Sequence, residues 1–348
     1  MWHKNHIIRR AAVSFASITV LTGLAGADQP AAHAASAGSG QSPAPASIPA
    51  SIPASIPASI PVPASTSTSV PSSTAPRAFT PTATATAAPR GRTGSGSNGR
   101  LRRDPRLPGA EIFQGEAFDT CHTPSSSLMR AWHGTSPFGA VGVYIGGHGR
   151  ACPDQPNLTD SWVRSVDRMG WKVLPIYVGS QSPCVEAERK RRYAMSHKAP
   201  GRRGEREGRD AVAAAEKLGM AEHSAIYLDM EAYDNSSTRC AATTLRFVQG
   251  WNRAVRKAGY HPGFYSSANS GIAHMNGARK AGSKDLPAAV WFADWKAPAS
   301  LNHKYLDAGA WHPHRRIHQH DGNVTRTYGG RRLNIDRNLV DAPVAVVP

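Results

Sequence analysis

The sequence predicts a (β/α)8 TIM barrel of the α/β class, distorted in its last third and preceded by a disordered linker rich in Pro, Ala, Ser and Thr. Eight strand-like segments alternate with amphipathic or Ala-rich segments after residue 115. About 240 residues follow the low-complexity region, a usual size for such a barrel. The connections after residues 295 and 320 carry little helix signal, so we expect loops and a distorted closure there.

The strands are assigned from apolar runs bounded by glycine and polar residues. They are predicted at 115–121, 140–147, 172–179, 225–231, 262–267, 289–295, 316–320 and 333–336. Helices are assigned from capping residues and glycine stops. They are predicted at 125–133, 158–169, 210–218 and 241–258. Strands with intervening helices form parallel βα units, so we expect a parallel barrel over residues 109–348.

Residues 1–34 have the pattern of a secretory signal peptide. Lys4, Arg9 and Arg10 give a charged start, an uncharged apolar stretch follows, and Ala32-His33-Ala34 offers a cleavage site. We therefore expect a secreted, extracellular protein, associated with the cell wall, and no stable membrane span after cleavage. An uncleaved anchor is the alternative, and the arginine pair leaves the export route open between the Sec and twin-arginine pathways.

Residues 35–108 are predicted to be a disordered linker. The tetrapeptide Pro-Ala-Ser-Ile occurs four times in register from Pro45. Such a segment buries too little apolar surface to offset its ordering entropy, and its prolines favour an extended spacer. A tether that carries the barrel away from a surface is the expected role, and a neutral low-complexity tail is the alternative.

Carboxylates recur where four of the predicted strands end. Asp119 ends the first strand, Asp229 and Glu231 the fourth, Asp294 the sixth and Asp336 the eighth. Since the functional residues of a TIM barrel lie at the C-terminal ends of its strands, we expect these acids to share one cleft. Tyr265 on the fifth strand, Gln319 on the seventh, and Trp291 and Trp295 on the sixth are candidate substrate-binding residues at the same level. For both tryptophans, core packing is an equal alternative.

Asp229 and Glu231 are two residues apart on one strand, so both point to one face together with Tyr227. Cleavage of a glycosidic bond needs two converging acids, and apolar neighbours can raise the pKa of one of them. The alternative is a strand end that leaves the core with its acids solvated.

The chain has four cysteines, Cys121, Cys152, Cys184 and Cys240. An even number in an exported protein favours two disulfides, and we prefer neighbour pairing (121 with 152, 184 with 240) among the three connectivities. Their spacing matches no zinc pattern. We expect no cofactor and no metal, although four acids at one rim leave Ca²⁺ or Mg²⁺ as a weaker alternative.

The formal net charge is +17, and much of the excess lies in the linker and in a basic loop at residues 186–209. A basic patch attracts polyanions, and those available to an exported protein are anionic wall polymers and acidic lipid headgroups. A solvated flexible loop is the alternative. No nucleic-acid motif accompanies the charge, so we expect no nucleic-acid partner.

Six motifs together resemble a family of secreted bacterial glycoside-hydrolase-like domains of unknown function, whose barrel is similar to that of the family 25 lysozymes. The motifs, which span about residues 112–342, are Phe118-Asp119-Thr120-Cys121, Tyr144-Ile145-Gly146-Gly147, Tyr227-Leu228-Asp229-Met230-Glu231, Phe264-Tyr265-Ser266-Ser267, Trp291-Phe292-Ala293-Asp294-Trp295 and Asn334-Ile335-Asp336. The resemblance implies Glu231 as the general acid, Asp229 as its orienting or charge-stabilising partner, and Asp119 and Asp336 as the cleft floor. Asp294 departs from the lysozyme pattern as an extra acid.

Two functions follow from these patterns. The first is hydrolysis of a cell-wall glycan, a peptidoglycan-type amino sugar polymer, with acid catalysis by Glu231. The alternative is a non-catalytic barrel that binds wall glycan or serves as a scaffold.

Overall fold

The computed structural model describes residues 104–348. The predicted signal peptide and residues 35–103 of the predicted linker lie outside the described residues. Within the described part, no helix combines the length and the apolar character needed to cross a membrane.

Residues 104–108 pack against the barrel, although the sequence assigned them to the linker. Leu107 is buried in a small apolar cluster with Ile112. Asp104 is also buried, and its carboxylate accepts hydrogen bonds from the Arg106 side chain. These contacts make residues 104–108 part of the packed domain.

Eight strands form a closed barrel in chain order, as the sequence predicts. They are β1 (Ile112–Asp119), β2 (Phe138–Gly146), β3 (Lys172–Tyr177), β4 (Ala225–Asp229), β5 (His261–Ser267), β6 (Ala289–Ala293), β7 (Arg316–Tyr328) and β8 (Arg331–Pro343). Each consecutive pair from β1–β2 to β6–β7 is parallel. Strand β8 is antiparallel to both β7 and β1, so the expectation of an all-parallel barrel is wrong at this strand.

A two-residue turn causes the reversal of β8. Gly329 and Gly330 have φ angles of 52° and 71°, which glycine adopts without steric cost and which a tight hairpin requires. Strand β7 therefore continues past His320 to Tyr328, where the sequence predicted a loop. The predicted loop after residue 295 is present, because residues 294–315 contain no helix. These two features are the distortion expected for the last third.

Five α-helices surround the strands of the described chain. They are α1 (Ser126–Trp132), α2 (Asp160–Arg168), α3 (Pro200–Lys217), α4 (Thr238–Lys257) and α5 (Ala273–Lys280). Helices α1 and α2 begin at side-chain caps, where the hydroxyls of Ser125 and Thr159 accept backbone N–H groups. Helix α5 follows a π-helical turn (Ala268–Ile272), and the sequence predicted neither.

Helix α3 starts ten residues before its predicted start at 210, inside the segment predicted as a basic loop. The sequence did not predict this half of the helix because it contains glycines, and glycine usually weakens a helix. Here they allow close packing on α4: a Cβ at Gly204 would lie 2.0 Å from the Phe247 carbonyl oxygen. Likewise, a Cβ at Gly250 would lie 2.1 Å from the Gly201 carbonyl oxygen. Together with a 3-10 helix at Glu188–Tyr193, α3 gives the basic segment regular structure over most of its length, where the sequence predicted a loop.

Alternation along β4 divides the core into two layers. Tyr227 packs inside the barrel with Trp291 and Ile176. Leu228 and Met230 point outward and pack beneath the helices. Burial of each such apolar side chain contributes about 1.5–3 kcal/mol before entropy is counted, and the same alternation sends Asp229 inward.

Both disulfides have the preferred neighbour pairing. Cys121 is bonded to Cys152, and Cys184 to Cys240, so the two bridges close loops with sequence separations of 31 and 56 residues. Each bridge joins segments that follow strands, at the end of the barrel where the strands carry their polar residues.

Candidate functional site

A cleft lies at the C-terminal ends of the parallel strands and has two lobes. The inner lobe, about 580 Å³, contains seven of the nine predicted site residues, namely Asp119, Asp229, Glu231, Tyr265, Trp295, Gln319 and Asp336. The outer lobe, about 870 Å³, contains Asp294. Glu231, Tyr265 and Trp295 line both lobes, so they mark the junction between them.

Asp119, at the end of β1, forms the floor of the inner lobe. Its Oδ2 accepts hydrogen bonds from Gln319 Nε2 and Asn338 Nδ2, both at 2.9 Å, and its Oδ1 accepts one from the Tyr144 hydroxyl at 3.2 Å. Complete burial, followed by the negative charge of Asp336, raises the pKa of Asp119 to about 7 despite these donors. The three hydrogen bonds hold the Asp119 carboxyl in one orientation.

Gln319 connects this floor to the cleft wall. Its side-chain oxygen accepts hydrogen bonds from the Tyr265 hydroxyl (2.9 Å) and from Trp295 Nε1 (3.0 Å), while its nitrogen donates to Asp119. Because Gln319 is itself buried, this small network holds both aromatic rings in place.

The two predicted tryptophans have different environments. Trp295 is 49% exposed and lines both lobes. Trp291 is 1% exposed, packs edge-on against Tyr227 and Tyr265, and donates to Asn338 Oδ1. The prediction that Trp291 contacts substrate is therefore wrong in this structure, because its ring fills the barrel and lines neither lobe.

Asp229, the last residue of β4, is 6% exposed. Its Oδ1 is buried and has no hydrogen-bond partner within the described residues. Burial, and then the charge of Glu231, raises the pKa of Asp229 to about 7, although Lys190 opposes the shift. A buried carboxyl with an unpartnered oxygen and a pKa of about 7 can hold a proton at neutral pH and release it.

Glu231 has two cationic neighbours. Lys190 Nζ lies 3.5 Å from Glu231 Oε1, and Arg189 Nη2 lies 3.8 Å from the same atom. Gln181 fixes the local backbone, because its Oε1 accepts the Glu231 N–H at 2.9 Å. We expected Tyr227 to flank Glu231, but the Tyr227 hydroxyl donates to the Pro343 carbonyl inside the barrel. Lys190 and Arg189 therefore place two positive charges beside the Glu231 carboxylate.

Asp336 reaches the inner lobe from an antiparallel strand. It lies opposite Asp119 in the β1–β8 pairing, not at a C-terminal strand end as the sequence predicted. Its Oδ1 accepts the Asn323 N–H at 2.6 Å, while burial raises its pKa above the ordinary value.

Asp294 belongs to the outer lobe. Its Oδ2 lies 3.0 Å from His303 Nε2, and its Oδ1 accepts the Lys296 N–H at 3.1 Å. Partial burial opposes ionisation, but these hydrogen bonds prevail and lower the pKa of Asp294. Asp294 is therefore an ionised carboxylate held by its neighbours, and it does not line the inner lobe with the other acids.

Four further residues line the inner lobe or form hydrogen bonds with the residues that line it, and they were not among the predicted site residues: Lys190, Gln181, Tyr144 and Asn338. Tyr144 and Asn338 lie within or next to the quoted motifs, so the motifs contained that signal. Lys190 lies in the basic run and is 5% exposed, with its ammonium donating to the Gly149 carbonyl at 3.1 Å. Nothing local in the sequence distinguishes it from its solvated neighbours.

Two of the inner-lobe carboxyl groups already have partners. Amide and hydroxyl donors occupy Asp119, and Lys190 neutralises Glu231, so these oxygens already have positive partners. Cys121, His122 and Cys152 also lie close together. The sulfurs of that group are bonded to each other and are not available as thiolate ligands.

Comparison with known proteins gives the family. The model of the Rv2525c-like, glycoside hydrolase-like domain matches residues 130–340. The chain belongs to this family. The matched region includes the Asp229–Glu231 pair, Gln319 and Asp336, and it begins after Asp119.

Solved structures also resemble the chain. An uncharacterized protein of B. stearothermophilus is 20% identical over 65% of this chain and 95% of its own, with a TM-score of 0.44. The Mycobacterium tuberculosis Tat-secreted protein Rv2525c, in complex with L-tartrate, is 17% identical over the same shares, with a TM-score of 0.42. No curated protein matches the chain.

Proposed function

We propose that this protein is secreted and hydrolyses a glycan of the cell wall, a peptidoglycan-type amino sugar polymer. The observation that carries the proposal is the unequal pair of carboxyls in the inner lobe. Asp229 is buried with a pKa of about 7, and Glu231 is paired with two cations. Glycoside hydrolysis needs one protonated and one ionised carboxyl at the same pH.

Asp229 is the proton donor in this proposal, and Glu231 is the charged partner. The glycosidic oxygen takes the proton from Asp229 as its bond to the anomeric carbon breaks. Glu231 stabilises the positive charge that develops on the sugar ring. A water molecule then adds its oxygen to the anomeric carbon and gives a proton to the Asp229 carboxylate, which restores the donor. This assignment reverses the roles implied by the lysozyme resemblance, because Lys190 and Arg189 lie within 4.0 Å of the Glu231 carboxylate, whereas among the described residues no cation lies that close to the Asp229 carboxyl.

The cleft walls support a sugar substrate. The Trp295 ring is exposed along the cleft, while its N–H is held by Gln319, so an apolar face is presented in a fixed orientation. Two connected lobes of about 580 and 870 Å³ have room for several sugar rings. Both features suit a polymer better than a small metabolite.

Two features support the export of the chain. The signal-like pattern of residues 1–34 belongs to a secreted chain. Two disulfides among the described residues fit an oxidising compartment.

Anionic wall polymers are the partner we propose for the basic segment, residues 186–209. Arg191, Arg192, Arg202 and Arg206 are exposed there, and among the described residues none of them has a carboxylate within 4.0 Å. Arg189 of the same segment lines the inner lobe, so a polymer held by these arginines would lie next to the cleft.

Turnover of purified peptidoglycan tests the catalytic proposal. We expect the wild type to release new reducing ends, and Asp229→Asn and Glu231→Gln to lower the rate by roughly 10²–10⁴. Met230→Leu is the matched control, because Met230 lies on the opposite face of the same strand and the change conserves volume. Equal rates in all four proteins would refute the assignment of the carboxyl pair.

The alternative, a non-catalytic glycan-binding barrel, rests on the hydrogen bonds that fix Asp119. A carboxylate with three donors and no exposure is also typical of a structural group. The same preparations separate the two functions. Saturable glycan binding without product would favour the binding barrel and refute the hydrolase.

A further inference from the structure

The outer lobe of the cleft has an aromatic shelf. Trp295 forms its inner end and Tyr305, 36% exposed, its outer end; among the described residues these two are the large hydrophobic side chains with the greatest exposure. Gly322 lies against the Trp295 ring, where an added Cβ would be 2.2 Å from Cζ2. The indole therefore packs closely against the Gly322 backbone, and about half of the Trp295 residue remains exposed to a ligand in the lobe.

Two lysines border this shelf. Lys296 and Lys304 both line the outer lobe and are exposed, and the Lys304 ammonium lies 5.2 Å from the centre of the Tyr305 ring. Neither lysine has a carboxylate within 4.0 Å among residues 104–348. Their positive charges are thus available to a ligand on the shelf.

The carboxylates of the lobe are already engaged. Asp294 is held by His303 and by the Lys296 N–H, and Glu231 pairs with Lys190 and Arg189. A ligand in the outer lobe therefore meets carboxylates that already have hydrogen-bond or ion-pair partners, and two ammonium groups that have no carboxylate partner among the described residues. That balance favours a negative ligand over a neutral one.

We propose that the outer lobe is a subsite for a sugar that carries a carboxylate, such as a uronic acid or an amino sugar with an acidic substituent. The sugar ring stacks on Trp295 while its carboxylate lies between Lys296 and Lys304. The inference rests on the proposed function, since it assumes that a glycan occupies the cleft, and it adds the chemical class of the sugar.

Calorimetric titration at low salt with two probes tests the subsite. One probe is a neutral tetrasaccharide of N-acetylglucosamine, and the other is a peptide-free peptidoglycan tetrasaccharide of the same length with carboxylates on alternate sugars. We expect the wild type to prefer the acidic probe by about three- to tenfold, from two exposed charge pairs. The preference should shrink as salt is added.

The double variant Lys296→Ala/Lys304→Ala should bind the acidic probe only as well as the neutral one. Lys257→Ala is the control, because it removes an exposed charge from the last turn of α4, at the far end of the barrel. Equal affinity of the wild type for both probes, or a preference that survives in the double variant, would refute the subsite and leave glycan binding intact. Binding of neither probe would refute the proposed function itself.

Discussion

The ion pair between Lys190 and Glu231 gives the sharpest test of the cleft's electrostatics. The two side chains are 6% and 26% exposed, and their charged atoms are 3.5 Å apart. Replacing Lys190 by Met keeps the aliphatic stem and removes the ammonium. Replacing Glu231 by Gln keeps the shape and removes the negative charge.

The structure sets the size of the effect. Two charges about 4 Å apart attract by about 4 kcal/mol at an effective dielectric of about 20, before desolvation is subtracted. Glu231 keeps partial contact with water, which lowers the net value. We therefore expect a coupling free energy of about 1–3 kcal/mol, between an exposed pair and a fully buried one.

A double-mutant cycle measures this coupling. The free energies of unfolding come from urea titrations of the wild type, Lys190→Met, Glu231→Gln and the double variant. The cycle cancels the separate loss of the Lys190 bond to the Gly149 carbonyl. A parallel cycle with Arg189→Met is the control: this side chain is 78% exposed, so its coupling should stay below about 1 kcal/mol. Additive effects for Lys190 and Glu231, within about 0.5 kcal/mol, would refute the ion pair.

Three further outcomes are expected. Gly322→Ala should displace the Trp295 ring and weaken glycan binding without a large loss of stability, whereas Gly277→Ala, which meets open space, should not; equal affinities in a titration would contradict the shelf. Replacing both cysteines of the Cys184–Cys240 disulfide by serine should lower the free energy of unfolding by about 2–5 kcal/mol in denaturant titrations, and unchanged stability would contradict a structural bridge. The pKa of Asp229 rises from 3.8 to about 7 on folding, so its stabilising contribution is complete below pH 3.8 and is lost as pH rises through about 7. From about pH 4 to 7, the free energy of unfolding should therefore fall more steeply for the wild type than for Asp229→Asn, and parallel curves would contradict the raised pKa.

Much of the barrel could be predicted because its strands are continuous apolar runs between glycines and polar residues. The direction of β8 could not be predicted, because an alternating pattern of apolar and polar residues is the same in either direction. The turn at Gly329 and Gly330 determines the reversal. The first half of α3 could not be predicted either. Its glycines lower helix propensity, and only the close contact with α4 makes them favourable.

The candidate site was predictable where residues lie at strand ends. The order of Asp119, Asp229, Glu231 and Gln319 along the strands places them at one rim, and the structure brings them together. Lys190 was not predictable, because its contacts with Gly149 and Glu231 span about 40 residues in both directions. The roles proposed for the acid pair depend on that lysine, whose contact with Glu231 the sequence did not predict.

The rate of peptidoglycan cleavage as a function of pH tests the central claim most directly, because it asks both whether the cleft hydrolyses glycan and which carboxyl carries the proton. With Asp229 as the donor, kcat/KM should fall as pH rises through about 7, the pKa of that carboxyl. Asp229→Asn should remove most of the activity together with that dependence, while Met230→Leu should reproduce the wild-type profile. A wild-type profile that stays flat through neutral pH, or reducing-end release that is unchanged in Asp229→Asn, would contradict the account.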